Sequence, residues 1–110
     1  MHLHLYKNIE VNGKEFLIVH AGLGKFKVDK PLKQYNIHDL VWERHNFNKQ
    51  YYKNKIIIVG HTPTELIKEN KRPSYIYKNK NNIAIDCGCI FGRRLGCIRL
   101  EDLKEFYVEC

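Results

Sequence analysis

Lys55-Ile56-Ile57-Ile58-Val59-Gly60-His61-Thr62-Pro63 is the stretch of this 110-residue sequence that decides the fold. Four consecutive β-branched residues with no polar residue among them predict a strand that is buried on both faces. The strand ends abruptly at Gly60, which permits a sharp turn and a close approach of the backbone to a bound group. The sequence therefore places His61 at the carboxyl end of a buried strand.

Two other apolar stretches end in the same way. Phe16–Val19 runs directly into His20, and the strand predicted over 82–86 ends in Asp86, each beside a glycine-containing turn. Ligands gather at the carboxyl ends of the strands in layered α/β architectures, so we expect His20, His61 and Asp86 to cluster at one edge of the sheet. Two neutral imidazoles and a carboxylate suit a divalent metal, and uncoordinated structural histidines are the alternative.

The remaining patterns predict a sheet-dominated α+β chain with little helix. A hairpin over Leu5–Val19 turns at Asn12-Gly13, a dipeptide that tolerates the positive φ angles of a type I′ turn. Asp39 is an acid in the first turn of a short helix predicted over His38–Arg44. Further strands are predicted over Tyr75–Lys78, Leu95–Leu100 and Glu105–Val108.

The sequence also predicts whether three large side chains in or beside that helix are buried or exposed. The apolar ring of Trp42 predicts a position in the core. His38 and His45 flank the helix, and we expect both of them to face solvent.

Composition and charge limit the classes of protein to consider. With 44% hydrophobic and 28% charged residues the chain has the composition of one globular domain. It has no apolar run of the roughly 20 residues that cross a bilayer, and its first residues lack the regions of a secretory signal, so we expect a cytoplasmic protein. The net charge of +7 comes mainly from lysine, which favours a solvated basic surface over a specific nucleic-acid reader.

Four cysteines lie in the last quarter of the chain, at Cys87, Cys89, Cys97 and Cys110. Without signs of secretion, we expect reduced and partly buried cysteines in strands. The C-x-C spacing of Cys87 and Cys89 differs from the usual C-x-x-C of zinc and redox sites. A zinc site formed by Cys87, Cys89, Cys97 and a histidine is the alternative.

Four segments of the sequence resemble motifs of one enzyme family. Phe16–Leu23 resembles the V-H-A/G-G-L segment of calcineurin-like metallophosphoesterases, and Ile57–Pro63 resembles their later G-H-T-P segment. Asp39–Arg44 is similar to the D-L-L-W-x-R stretch between the two. Ile83–Cys89, with Leu95–Leu100, is similar to the I-D-T-G strand and closing hairpin of bacterial serine/threonine protein phosphatases and diadenosine tetraphosphatases. The order agrees with the family, and the likeness covers roughly residues 5–102.

The resemblance implies a fold, a reaction and a set of site residues. It makes residues 1–110 the β-rich half of an αββα sandwich and implies metal-dependent hydrolysis of phosphoesters, on a phosphorylated protein or a small substrate. His20 and His61 become nitrogen ligands of the same metal, with manganese the first candidate and iron, zinc or magnesium as alternatives. Arg44 becomes the phosphate-binding arginine, unless it only pairs with Asp39 or Glu43. Asp86 is expected to orient a histidine, or alternatively to cap the turn at Gly88.

Three family motifs do not occur in the 110 residues, namely D-x-H, G-D-x-x-D-R and G-N-H-D/E. The chain therefore resembles only the carboxyl-terminal half of the domain, and His2-Leu3-His4 is interpreted as the remainder of a strand. A second metal site is not expected from this chain alone, and we expect the chain to be inactive as it stands. The alternative is a non-catalytic half-domain that binds a partner protein or complements a separate amino-terminal half.

Overall fold

The apolar run Ile56–Val59 lies in the central strand of a five-stranded sheet. The computed structural model describes residues 5–42 and 44–110. The predicted strand remainder at His2-Leu3-His4 lies outside these residues. In the described part of the chain the strands are β1 (Tyr6–Val11), β2 (Lys14–Val19), β3 (Lys55–Val59), β4 (Tyr77–Asn79), β5 (Asn82–Ala84), β6 (Arg94–Ile98) and β7 (Glu105–Glu109).

Helical structure is sparse in the described residues. One short α-helix, α1, spans Ile37–Val41. Single 3₁₀ turns lie at Leu32–Gln34, Thr64–Leu66 and Cys89–Phe91. No helix in the described part of the chain is long and apolar enough to cross a membrane.

The large sheet has the order β1-β2-β3-β5-β4. Strands β2, β3 and β5 are parallel, whereas β1 pairs with β2, and β4 with β5, in the antiparallel sense. Strands β6 and β7 form a separate antiparallel sheet of two strands. The three strands that the sequence predicted to be buried are thus the parallel ones, in agreement with the need of parallel strands for cover on both faces.

The core lies on both faces of the large sheet because side chains alternate along each strand. One face carries Leu17, Val19, Ile57 and Val59, which pack against Tyr35, Leu40, Phe47 and Tyr51. The other face carries Phe16, Ile58 and Ile83, which pack with Ile76 and Cys87 beneath Ile98 and Tyr107 of the β6–β7 sheet. The result is a small, strand-rich α+β fold, which is compatible with a β-rich half-domain.

The surroundings of α1 differ from the prediction at two side chains. The helix ends at Val41 and turns Leu40 into the core, so Trp42 lies at the helix end and is 65% exposed. The prediction of a core position for Trp42 was wrong. His45 was predicted to face solvent, but it is only 8% exposed because its ring stacks on Tyr51, with ring centroids 4.3 Å apart.

The expectation of four reduced cysteines was also wrong. Cys89 and Cys110 form a disulfide, with their Cα atoms 5.4 Å apart. The pairing of β7 with β6 returns the last residue of the chain to the turn at Cys89, where the Cys110 N–H donates to the Arg93 carbonyl at 3.0 Å. Cys87 is a buried thiol and Cys97 an exposed one. Among the described residues no group of three or more histidines, cysteines and carboxylates is placed to hold a metal, so the zinc alternative finds no support.

Candidate functional site

The side chains of His20 and His61 meet at the carboxyl ends of two neighbouring strands. Nε2 of His20 lies 3.1 Å from Nδ1 of His61, and the two ring centroids are 5.0 Å apart. The parallel register pairs Val19 of β2 with Val59 of β3, so the residues that follow both strands emerge side by side. The Gly60 N–H then donates to the His20 carbonyl at 2.8 Å and fixes the two strand ends to each other.

The backbone of His61 is in the left-handed region, with φ at +66°. Few residues other than glycine adopt this conformation, which costs on the order of 1 kcal/mol. The turn is held by the Thr62 N–H, which donates to the Gly60 carbonyl at 2.7 Å, and by the Thr64 N–H, which donates to the Asp86 carbonyl at 2.8 Å. These bonds hold the imidazole of His61 over the end of β3, facing His20.

The separation of the two nitrogens suits two ligands of one ion. Imidazole nitrogens that each bind an ion at about 2.0–2.1 Å, with an angle near 90–110° at the ion, lie about 2.8–3.4 Å apart. The observed 3.1 Å falls in this range. His20 is exposed and His61 half-buried, so the pair lies at the surface of the described part of the chain. The pair fits a metal as two nitrogen donors, and the same distance is that of a hydrogen bond between two uncoordinated imidazoles, the alternative of the sequence analysis.

Asp86 occupies the end of the third parallel strand, but its carboxylate serves a neighbouring turn. Oδ1 of Asp86 accepts from the Gly88 N–H at 3.1 Å, and Gly88 has a φ of +81°. This is the turn-capping alternative of the sequence analysis. Asp86 does not join the histidines in a group of three potential ligands within the described residues. It acts on the site through its carbonyl, which anchors the turn after His61.

Arg44 lies on the rim of a pocket that also includes Thr62, the residue next to His61 in the chain. The pocket has a volume of about 220 Å³ and a mixed polar lining. The charged side chains on it are the cations of Arg44 and Lys68 and the carboxylate of Glu69. The sequence analysis named Asp39 and Glu43 as carboxylates that could pair with Arg44. Oδ2 of Asp39 lies 3.9 Å from Nζ of Lys30 instead. Glu43 lies outside the described residues.

His45 packs against the loop that carries His20, a role that the sequence analysis did not predict. Its Nε2 lies 2.6 Å from Oδ1 of Asn82, whose amide nitrogen donates to the carbonyls of Lys49 and Lys80. Because Oδ1 only accepts, the His45 Nε2 carries a hydrogen and donates. Burial lowers the pKa of His45 to about 4, which keeps the ring neutral near pH 7. No sequence signal marks this role, because Asn82 is 37 residues away.

The backbone of Gly22 passes directly over the His45 ring. A Cβ atom at position 22 would lie 2.9 Å from Cβ and from Nδ1 of His45, closer than normal contact. Gly22 belongs to the loop that follows His20, and the Ala21 N–H of the same loop donates to the Leu40 carbonyl of α1 at 2.8 Å. The loop that carries His20 is therefore packed between α1 and a buried, neutral histidine.

The chain has a distant relative among known proteins. No family model matches the chain. The chain is similar to a tetraphosphatase, a phosphoesterase-type enzyme. That relative is the asymmetrical bis(5′-nucleosyl)-tetraphosphatase PrpE of Anoxybacillus flavithermus, with 28% identity over an alignment of 121 positions. The alignment includes 94% of this chain but only 45% of the relative, so the chain spans less than half of that enzyme.

Proposed function

We propose that this chain is the carboxyl-terminal half of a metallophosphoesterase domain and supplies two histidine ligands of a divalent metal site. The observation that carries the proposal is the 3.1 Å separation of Nε2 of His20 and Nδ1 of His61 at the ends of two parallel strands. The similarity to a tetraphosphatase supports the same class of reaction. Manganese is the first candidate, although imidazole donors also suit iron and zinc.

A divalent ion at this position would supply positive charge to phosphoryl oxygens. The chain contributes both the donor atoms for such an ion and the bonds that keep them in place. His20 and His61 offer neutral nitrogen lone pairs, and the bond from Gly60 to the His20 carbonyl holds the two strand ends together. Arg44, on the nearby pocket, offers a planar pair of N–H donors to phosphate oxygens.

The proposed site is incomplete within these 110 residues. Two neutral nitrogens do not offset the charge of a divalent ion, and the motifs D-x-H, G-D-x-x-D-R and G-N-H-D/E, which supply carboxylates and an asparagine in the family, do not occur in the sequence. We therefore infer that the chain alone is inactive and that an amino-terminal half completes it. The second candidate is a half-domain that binds a partner without catalysis. For the proposed enzyme, the similarity to a tetraphosphatase favours a small phosphoester over a phosphoprotein as substrate.

Manganese binding, measured by electron paramagnetic resonance, tests the histidine pair. The six-line signal of the free aqueous ion should decrease when the chain is added, with weak binding of one equivalent. His20→Ala and His61→Ala should each remove this binding, whereas His38→Ala, which removes an exposed histidine of α1, should not. Binding that persists in both His20→Ala and His61→Ala would show that the metal lies elsewhere.

A further inference from the structure

Trp42 is the single tryptophan of the chain, and it is 65% exposed beside the histidine pair. Its ring centroid lies 6.0 Å from that of His61, and the two rings are 81° apart. Tryptophan is highly buried on average in folded proteins, so an exposed indole at a candidate site needs an explanation. The apolar pattern of the sequence did not predict it.

Hydrogen bonds hold the backbone at Trp42, and the edge-to-face contact with His61 orients its indole. Trp42 caps the carboxyl end of α1, and its N–H donates to the His38 carbonyl at 3.1 Å. At the other end of the helix, the side chain of Asn36 accepts from the Asp39 N–H, and the Asp39 carboxylate accepts from the Asn36 N–H. A ring on an ordered backbone that already contacts His61 receives a ligand at a lower cost in conformational entropy than a ring on a mobile segment.

At least one face of the indole is open. In an edge-to-face pair either the indole presents its edge to His61, or it presents one of its two faces to the edge of the imidazole. In both arrangements a face of the indole is left without cover from His61. Among the described residues no other ring contact to Trp42 is found. A flat aromatic ligand can therefore stack on Trp42 without displacing His61.

Cationic side chains that suit phosphate lie close to Trp42 in the sequence and around a pocket beside His61. Arg44 is two residues further along the chain, and its pocket is shared with Thr62, which follows His61, and with the cation of Lys68. A ligand with a flat aromatic group at one end and a chain of phosphates at the other matches this order of groups. Any nucleobase can stack on an exposed aromatic side chain, because every base has a flat π-face. Phosphates bind guanidinium groups.

We propose that Trp42 is a stacking platform for the base of a nucleoside polyphosphate whose phosphates lie beside His20, His61 and Arg44. This inference rests on the proposed function and deepens it by naming the substrate class. The relative of this chain is a bis(5′-nucleosyl)-tetraphosphatase by name, which agrees with such a ligand. A phosphopeptide offers no flat base that must stack at this position.

The fluorescence of Trp42 provides a direct test, because the chain contains no other tryptophan. Diadenosine tetraphosphate is titrated in the presence of magnesium, and inorganic tripolyphosphate serves as the matched ligand without a base. We expect both to bind in calorimetry but only the nucleotide to quench Trp42. Stacking energies of about 1–3 kcal/mol per base correspond to a roughly 5- to 150-fold loss of nucleotide affinity in Trp42→Ala.

Two further variants separate stacking from a general structural effect. Trp42→Phe should recover part of the nucleotide affinity, because a smaller aromatic face is still present. Phe91→Ala removes an aromatic side chain that is 61% exposed in the turn next to Cys89, and it should leave nucleotide affinity unchanged. Tripolyphosphate affinity should be the same in Trp42→Ala and in the unchanged chain.

The outcomes distinguish this inference from the proposed function. Equal binding of nucleotide and tripolyphosphate, with no effect of Trp42→Ala on either, would overturn the platform while leaving the histidine site intact. Nucleotide binding that requires Trp42 but is insensitive to His20→Ala and His61→Ala would support the platform and contradict the proposed metal site. Absence of binding by either ligand would overturn the platform as well.

Discussion

Asn82, at the start of β5, accepts a hydrogen bond from the buried imidazole of His45 at 2.6 Å. The amide nitrogen of Asn82 donates to the Lys49 carbonyl at 2.8 Å, so its oxygen is turned toward the histidine. This pair joins the segment after α1 to β5, next to the central strand β3. The same histidine packs against Gly22 and through it supports the loop that carries His20.

The first prediction is that this neutral histidine makes stability depend on pH. Burial lowers the pKa of His45 from 6.5 to about 4. Between these values the unfolded chain binds more protons than the folded chain, so the free energy of unfolding rises with pH. The contribution of His45 should be complete above about pH 6.5 and should fall by about 3 kcal/mol as the pH drops to about 4.

Urea denaturation at pH 7.5 and pH 4.5 measures this dependence. His45→Gln cannot be protonated, so it should show a clearly smaller difference in unfolding free energy between the two pH values. His38→Gln, at an exposed position on α1, should keep the full difference. An identical pH dependence in His45→Gln and the unchanged chain would mean that His45 does not account for it.

The second prediction concerns Gly22 and its close approach to His45. Gly22→Ala would place a methyl group 2.9 Å from Cβ of His45, so the loop has to move. We expect a loss of about 1–3 kcal/mol in unfolding free energy and weaker manganese binding, because the same loop positions His20. Thermal denaturation and paramagnetic resonance measure the two effects.

Gly60→Ala is the matched control at the neighbouring strand end. A Cβ atom there would meet nothing closer than the His20 carbonyl oxygen at 3.6 Å, which is ordinary contact. Gly60→Ala should change stability much less than Gly22→Ala. Equal losses in the two variants would contradict the proposed support of the His20 loop by His45.

The sequence predicted those parts of the structure that depend on local patterns. The hairpin at Asn12-Gly13 is present with the predicted strands, and the buried runs around Leu17 and Ile57 form parallel neighbours. Once two such strands pair in register, His20 emerges beside Gly60, and the left-handed turn at His61 then brings the two imidazoles together. Their role as metal ligands stays a prediction.

Other features depend on contacts between distant residues, and the sequence did not indicate them. His45 is buried because Asn82 and Tyr51 reach it in the folded chain. Trp42 is exposed because α1 ends at Val41, the residue before it. The sequence predicted that the helix continues to Arg44, and no local signal indicates the earlier end. The capping role of Asp86 was an open alternative, because a strand-end carboxylate suits a turn as well as a ligand.

The third prediction concerns the disulfide between Cys89 and Cys110. It closes a segment with a sequence separation of 21 residues that contains β6 and β7. Closure of a loop of this size lowers the entropy of the unfolded chain and stabilises the fold by about 3 kcal/mol. Cys110→Ser should therefore lower the unfolding free energy by about this amount under oxidising conditions, as measured by urea denaturation.

Cys97→Ser is the control, because Cys97 is an exposed thiol on the same small sheet. It should have little effect on stability. A reducing agent should lower the stability of the unchanged chain to that of Cys110→Ser, and it should not affect Cys110→Ser itself. Equal stability of Cys110→Ser and the unchanged chain without reductant would contradict the contribution of the disulfide.

The last prediction is that activity requires a second segment. The chain alone, with manganese, should not hydrolyse p-nitrophenyl phosphate or diadenosine tetraphosphate above background. Two neutral histidines and an arginine lack the carboxylates that a two-metal centre needs, and groups that act as a unit lose most of their effect when some are missing. A segment that carries D-x-H, G-D-x-x-D-R and G-N-H-E, fused to the chain or added separately, should restore manganese-dependent turnover.

The restored activity should depend on the residues of this chain. His61→Ala should reduce it to background, and Arg44→Ala should lower kcat/KM about 10- to 100-fold because one or two charged hydrogen bonds to phosphate are lost. Arg72→Ala, which removes an exposed arginine outside the Arg44 pocket, should leave turnover unchanged. Turnover by the unsupplemented chain that disappears in His61→Ala would show that a working site forms without the second segment. A complemented chain that binds manganese through His20 and His61 but hydrolyses neither compound would favour the non-catalytic half-domain.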